Sequence, residues 1–243
     1  ILSYDVRLPL WSDGAAKERA LVLPEGGLID YADSGAWSFP EGTILIKSFV
    51  LNGQALETRF LVRDGEDWRG ATYRWNEEQT EAYLLTSGAT KPTGDQTWIF
   101  PSREDCISCH TKAAGHVLGL RTRQMNRESN LLGTGDVHQI RALSELGYFS
   151  GGPEGDLENL PSFPGINDME ASVSERARAY LDVNCSNCHR PGTVALGNMD
   201  LRADTVLSDT GTCDVAPEEG GLRRFFAGKN DNPLKKVWIF DVF

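Results

Sequence analysis

The chain has 243 residues, of which 40% are hydrophobic and 24% charged, a composition typical of a globular protein that buries a core. Its formal net charge of -11 at pH 7 argues against nucleic acid as a partner, because phosphate binding needs a high density of Lys and Arg. No apolar run approaches the roughly 18 residues of a transmembrane helix, so we expect no transmembrane segment. The chain begins with Ile1 rather than Met, as expected if a leader or tether has been removed or left out.

The first hundred residues follow the two-residue period of antiparallel strands. Residues 43–51 are rich in β-branched side chains and are followed by Asn52-Gly53, the pair best suited to a tight hairpin turn. Three further alternating segments come next, separated by turn residues: QALETRFLVR, WRGATYRWN and TEAYLLT. We therefore predict an antiparallel β-sandwich-like domain over residues 1–100.

Helix signals begin at Pro101, where the β pattern ends. Ser102 and Asp105 form a capping pair, as do Ser172 and Glu175, so each pair predicts the start of a helix. A Gly- and Pro-rich linker at 149–165 separates the two helices. The whole pattern predicts an α+β chain, with a mainly α-helical region of two lobes, 101–150 and 151–243, after the β domain.

Two Cys-x-x-Cys-His strings, at 106–110 and 185–189, hold four of the five cysteines. This pentapeptide is the attachment signal of c-type haem, in which two thiols bond to the haem vinyl groups and the histidine ligates the iron. The predicted thioether cysteines are Cys106, Cys109, Cys185 and Cys188, and the predicted proximal iron ligands are His110 and His189. We expect two covalently bound haems.

Other roles for these cysteines fit the spacing less well. Zinc ribbons place their Cys-x-x-Cys pairs about 15–20 residues apart, whereas here the pairs are 79 residues apart and each is followed by histidine. A thioredoxin-like pair needs a βαβ unit, which the pattern does not predict. Cys213 is left over and is expected to be either a buried small residue or a free thiol.

The second axial ligand of each iron is less defined. Met125 follows His110 by 15 residues, in a stretch, LGLRTRQMNRES, with helical character, and Met199 follows His189 by 10 residues. Either methionine is a candidate distal ligand, and Met169 precedes the second helix and suits either lobe. For each methionine, filling the core is the alternative role.

The two remaining histidines have simpler predicted roles. His116 lies only six residues after His110, so we expect it at the surface or near a haem propionate. His138 is expected to be an exposed or helix-capping residue. An iron left without a sixth ligand would be a reaction centre rather than a carrier.

Several strings in the chain resemble one known family. They are LPLWSDGAAKERALVLPEG, FPEGTILIKSFVL, GATYRWNEEQTEA, PSREDCISCHT, LGLRTRQMNR and RARAYLDVNCSNCHRPG. Together they resemble an uncharacterised family of bacterial exported dihaem c-type cytochromes, often encoded beside or fused to β-propellers similar to quinone-dependent sugar dehydrogenases.

The resemblance implies periplasmic or cell-surface electron transfer from a dehydrogenase donor to a cytochrome or oxidase acceptor. Related chains tend to end in an Arg-Met-Pro-Pro type segment that supplies a methionine. This sequence ends in VWIFDVF, so the resemblance leaves the Met199 assignment open.

Electron transfer is therefore the leading prediction, with an electron carrier favoured over a catalyst and no catalytic residue outside the haems. One alternative is a dihaem peroxidase-like enzyme with one open haem, although such enzymes are usually longer. The other is a polysaccharide-binding redox module that stacks sugars on aromatic side chains, which are alternatively ordinary sheet core. Those side chains are Trp11, Trp37, Trp68, Tyr73 and Trp75.

Overall fold

The computed structural model describes residues 1–130, 135–153, 155–193, 195, 198–213 and 215. Its main element is a six-stranded antiparallel sheet whose strands neighbour one another in chain order. The strands are β1 (Leu2–Ser3), β2 (Ala16–Val22), β3 (Ile44–Leu51), β4 (Gln54–Asp64), β5 (Asp67–Trp75) and β6 (Ala82–Leu84). The antiparallel strands predicted within the first hundred residues are thus confirmed.

The β3–β4 hairpin turns where the sequence predicted. Asn52 and Gly53 have φ angles of 53° and 78°, and Leu51 pairs with Gln54. Two consecutive positive φ angles define the type I′ turn, which matches the twist of the flanking strands and which Asn-Gly adopts with little strain. The turn therefore fixes the register of β3 and β4.

One face of the sheet carries the main core. Leu21, Leu45 and Leu61 are cross-strand neighbours on β2, β3 and β4, and all three are buried. The chain beyond the first motif covers this face, with Leu120 and Ile140 among the fully buried residues of the same cluster. The core thus joins the sheet to segments that lie up to about a hundred residues further along the chain.

A two-stranded ribbon completes the β structure near the sheet. Strands β7 (Ala89–Thr93) and β8 (Gln96–Phe100) pair with each other. Trp98 and Phe100 from this ribbon form a second cluster with Phe49 of the sheet. The Trp98 indole N–H also donates to Glu57 Oε1 at 3.0 Å, so a fully buried carboxylate has a polar partner there.

The rest of the described chain contains short elements. The helices are α1 (Arg103–Cys109), α2 (Thr122–Met125), α3 (Gln139–Glu145) and α4 (Val173–Asn184), with short strands β9 (Glu128–Ser129) and β10 (Val137–His138) and 3-10 turns at Leu157–Asn159 and Leu207–Asp209. Both predicted capping boxes are confirmed at α1 and α4. None of the helices in the described ranges is long and apolar enough to cross a bilayer.

The predicted fold class is wrong. We expected an α+β chain with a β-sandwich-like domain followed by a mainly α-helical region, but the protein is mostly β and its four helices among the described residues are short. In the described part of the chain, the core face of the sheet is covered by irregular chain and the short helices α2 and α3, and no second large sheet packs on it. The division of the chain at residues 100 and 150 stays a prediction.

The stretch predicted as a helix around Met125 shows why helical periodicity failed. Only Thr122–Met125 is helical there. The buried Gln124 side chain bonds instead to Leu8, donating to its carbonyl at 2.8 Å and accepting from its N–H at 2.9 Å. The Gln124 carbonyl, which a longer helix would bond to an N–H group one turn further on, instead accepts the Arg7 N–H at 2.9 Å.

The α4 cap gives a first stability prediction. Glu175 N–H donates to Ser172 Oγ at 3.2 Å, and Ser172 N–H donates to Glu175 Oε2 at 2.8 Å. We expect Ser172→Ala to lower the free energy of unfolding by about 1 kcal/mol, because it orphans a helix N–H group. Urea unfolding followed by circular dichroism measures this. Ser174→Ala, at the exposed second position of the same helix, should change stability by less than about 0.5 kcal/mol. Equal losses in the two variants would contradict the cap assignment.

Candidate haem-binding site

The first motif occupies helix α1 and its C-terminus. The capping box at Ser102 starts the helix, Cys106 and Cys109 lie one turn apart on it, and His110 is its C-cap. The His110 N–H donates to the Cys106 carbonyl at 3.0 Å, which closes the last turn. Two thiols and an imidazole are therefore presented from one short, internally bonded segment.

A glycine on strand β5 lets this helix approach the sheet. A Cβ atom added at Gly70 would lie 2.8 Å from both Cβ and Sγ of Cys106. This separation is shorter than real Cβ contacts, so a larger residue would displace the cysteine or the strand. Gly70 thus sets the distance between the first motif and the sheet.

We expect Gly70→Val to destabilise the protein by about 1–3 kcal/mol through overpacking and to reduce haem attachment at the first motif. Haem content per chain and urea unfolding measure the two effects. The matched control is Gly151→Val, since an added Cβ there meets nothing within 4 Å. If both variants behaved like the wild type, Gly70 would have no role in placing Cys106.

The His110 ring is held in the orientation of a metal ligand. Its Nδ1 lies 2.5 Å from the His116 carbonyl oxygen, and His116 Nδ1 lies 3.0 Å from the His110 carbonyl. A ring nitrogen facing a carbonyl carries the proton, so the His110 Nε2 keeps a lone pair, as a metal-ligating histidine needs. Burial, and then the charge of Lys47, lowers the pKa of His110 to about 4, so the ring is neutral at pH 7 as ligation requires.

The second motif follows helix α4 directly. Cys185 is the C-cap of this helix, and its N–H donates to the Leu181 carbonyl at 2.9 Å. His189 N–H donates to the Cys185 carbonyl at 2.8 Å, so the motif continues as a further turn. The His189 Nδ1 is buried and has no hydrogen-bond partner in the described part of the chain. The second imidazole is thus placed like the first, without the carbonyl that orients His110.

The two motifs meet in space. Cys109 Sγ and Cys188 Sγ are 3.9 Å apart, although the residues are 79 positions apart in the sequence. Arg190 reinforces the contact, since its Nη1 donates to the Ala113 carbonyl at 3.3 Å. The four motif thiols are free and partly buried. Sequence alone did not predict this juxtaposition.

The pKa shifts of the motif cysteines are opposite to those of reactive thiolates. Burial raises the pKa of Cys106, Cys185 and Cys188. Redox and nucleophilic cysteines have lowered pKa values, so these thiols lack the activation of a thioredoxin-like pair. Within the described ranges, no group of three or more His, Cys, Asp or Glu side chains converges in a way that could hold a metal ion. Haem attachment at the motifs stays a prediction.

The distal candidates lie in different surroundings. Met125 is fully buried within the main core cluster, Met199 is half-buried, and Met169 is 79% exposed. The position of Met125 matches the core-filling alternative, and its assignment with Met199 as distal ligand stays a prediction. His138 caps α3 by accepting the Arg141 N–H at 3.4 Å, as one of its predicted roles requires. Cys213 is an exposed free thiol.

The aromatic residues proposed for sugar stacking are divided between core and surface. Trp37 and Trp68 are buried at 2% and 7% exposure, so their faces are not available to a polysaccharide. Trp11 is 64% exposed, and Tyr73 and Trp75 are half-buried. Trp37 and Trp68 are therefore core residues, which was the alternative to sugar stacking in the sequence analysis.

Sequence reasoning missed Gly70 and Lys47, which both adjoin the first motif. Each had a signal: a glycine interrupts the WRGATYRW strand, and a lysine interrupts the apolar TILIKSFVL strand. A glycine inside a strand often marks a close approach, and a charge on a buried face needs a partner.

No family model, curated protein or solved structure matches the chain. The resemblance to exported dihaem cytochromes therefore stays a prediction based on the quoted strings.

Proposed function

We propose that this protein is a dihaem c-type cytochrome that transfers electrons between a donor and an acceptor in the periplasm or at the cell surface. The observation that carries the proposal is the contact of the two Cys-x-x-Cys-His motifs, with Cys109 Sγ 3.9 Å from Cys188 Sγ. Two attachment points that touch would place two redox groups side by side in one protein.

The residues that would hold the haems are those of the motifs. Cys106 and Cys109 with His110 form one set, and Cys185 and Cys188 with His189 form the other. Haem bound at these sets supplies a one-electron iron couple. The chain would orient the His110 ring through the hydrogen bond between its Nδ1 and the His116 carbonyl.

The remaining parts of the proposal rest on the resemblance. It supports export, a donor similar to a quinone-dependent sugar dehydrogenase, and a cytochrome or oxidase as acceptor. The net charge of -11 supports recognition of a partner with a basic surface, because complementary charge steers encounters.

Covalent haem content tests the proposal directly. The full chain is produced in a bacterial host with the c-type haem maturation system, and haem per chain is measured as the pyridine haemochrome after acid-acetone extraction. We expect two haems per chain that stay with the polypeptide. A colourless protein, or colour that leaves with the organic phase, would refute the proposal.

A redox titration then separates the carrier from the enzyme. A carrier should take up two electrons in two one-electron steps and turn over no peroxide. A high-spin ferric band together with peroxide turnover would favour the peroxidase-like alternative instead.

A further inference from the structure

The contact between the two motifs is a contact between two thiols. Cys109 Sγ and Cys188 Sγ are 3.9 Å apart, and both cysteines are free and partly buried. A disulfide bond has a sulfur–sulfur distance of about 2.05 Å, so the two sulfurs need to approach each other by about 2 Å. Rotation about the Cα–Cβ bonds of the two cysteines can supply this movement. The two thiols therefore lie close enough to be joined.

Several contacts hold the second motif against the end of helix α1. Cys188 Sγ lies 4.0 Å from the Ser108 carbonyl oxygen. Arg190 Nη1 donates to the Ala113 carbonyl at 3.3 Å, and a Cβ atom added at Gly192 would lie 3.5 Å from the Ala113 Cβ. The proximity of the two sulfurs therefore comes from an interface of several residues, and not from two side-chain conformations alone.

The other thiol of the first motif has partners on the sheet side. Cys106 Sγ donates to the Ser102 carbonyl at 3.3 Å, and Cys106 packs against Gly70 on strand β5. The sulfur beside Cys109, in contrast, belongs to Cys188 of the second motif. The fold thus favours a bond between the motifs over a bond within the first motif.

We propose that Cys109 and Cys188 form a disulfide bond in chains that carry no haem. The oxidant is an organic disulfide, which is the thiol oxidant of an oxidising compartment. One thiolate of the pair attacks the oxidant and displaces one thiol, and the second thiolate then attacks the mixed disulfide and displaces the other thiol. The chain loses two hydrogen atoms and two electrons, and the oxidant is reduced to two thiols.

The cross-link takes one thiol from each motif. A sulfur in a disulfide bond cannot add to a haem vinyl group, so one reduction step precedes complete haem attachment at both motifs. The bond also joins residues 79 positions apart, which restricts the unfolded chain and stabilises the fold. The effect on haem attachment rests on the proposed function, whereas the bond itself does not depend on it.

The test oxidises the full chain without haem. The protein is produced in a bacterial cytoplasm without the haem maturation system, reduced, and exposed to glutathione disulfide at mildly alkaline pH, where more of each thiol is ionised. Two of the five thiols should become protected from alkylation, and the intact mass before alkylation should fall by about 2 Da. Oxidation should also raise the midpoint of urea unfolding, and dithiothreitol should reverse that shift.

Two double variants, both in a Cys213→Ala background, identify the pair. Cys106→Ala/Cys185→Ala retains Cys109 and Cys188, and it should form one disulfide as readily as the wild type. Cys109→Ala/Cys188→Ala retains the other two motif thiols, and it should form none in the same time. In urea, where the fold is lost, the difference between the two variants should disappear.

The outcomes separate this inference from the proposed function. Equal disulfide formation in the two folded double variants, or a wild-type disulfide within one motif, would overturn the cross-link. So would a haem-free chain that lacks the circular dichroism of a folded protein and forms no preferred pair. Two covalent haems in the exported chain, without a selective bond in the haem-free chain, would overturn the cross-link alone. A selective Cys109–Cys188 bond in a protein that never acquires covalent haem would refute the proposed function alone.

Discussion

Replacing Cys185 and Cys188 together by alanine should leave a chain with one covalent haem instead of two. The first motif should keep its haem, because its own contacts hold it: Gly70 gives Cys106 its place against the sheet, and the His116 carbonyl orients His110. Intact mass under denaturing conditions and the pyridine haemochrome count the haems. The redox titration should fall from two steps to one.

The matched control for this experiment is Cys213→Ala. Cys213 is an exposed free thiol outside both motifs, so its loss should leave two haems per chain. Two haems in the Cys185→Ala/Cys188→Ala variant would contradict the assignment of the second motif. Complete loss of haem would instead mean that the first motif depends on the second.

The largest stability effect is expected from Asp182→Ala. Asp182, on α4, is only 2% exposed; it forms an ion pair with Arg121 and accepts the Ala203 N–H at 2.8 Å. Removing one partner of a buried ion pair leaves the other charge uncompensated, at a cost of about 3–5 kcal/mol. Urea unfolding of the holoprotein, followed by circular dichroism, measures the loss.

Asp204→Ala is the control for the Asp182 variant. Asp204 forms an ion pair with Arg123, but its side chain is 64% exposed. Exposed pairs contribute about 0–1 kcal/mol, so this variant should remain close to the wild type. If both variants lost the same free energy of unfolding, the burial of Asp182 would not determine how much its ion pair stabilises the protein.

The ion pair also bears on the second motif. Arg121 follows the first motif in the chain, whereas Asp182 lies three residues before Cys185. The ion pair therefore links the segments that carry the two Cys-x-x-Cys-His motifs. Asp182→Ala should weaken the contact between the motifs as well as the stability of the fold.

Features with local causes were predictable from the sequence. The Asn52-Gly53 turn and the two capping boxes depend on residues no more than three positions apart, and all were confirmed. The identity of the motif residues was equally local, since five adjacent positions define each one.

Features with distant causes were not predictable. The helical pattern around Met125 was overridden by bonds from Gln124 to Leu8, which is 116 positions away. The contact of Cys109 with Cys188 depends on how the sheet, α1 and α4 pack, and no spacing in the sequence encodes it. The mainly helical prediction failed for the same reason, because contacts distant in sequence, such as those of Gln124 with Arg7 and Leu8, set the local backbone.

The order of the six strands has a consequence for how the chain reaches its native state. Each of the six strands pairs with its neighbour in sequence, and the pairings from β3 to β6 close only short loops, which costs little entropy and is fast. The apolar face that carries Leu21, Leu45 and Leu61 stays exposed until Leu120, Ile140 and their neighbours pack on it. The later, irregular segments of the chain thus fold onto a sheet that is already formed. If those segments failed to pack, the apolar face of the sheet would be exposed and would favour self-association.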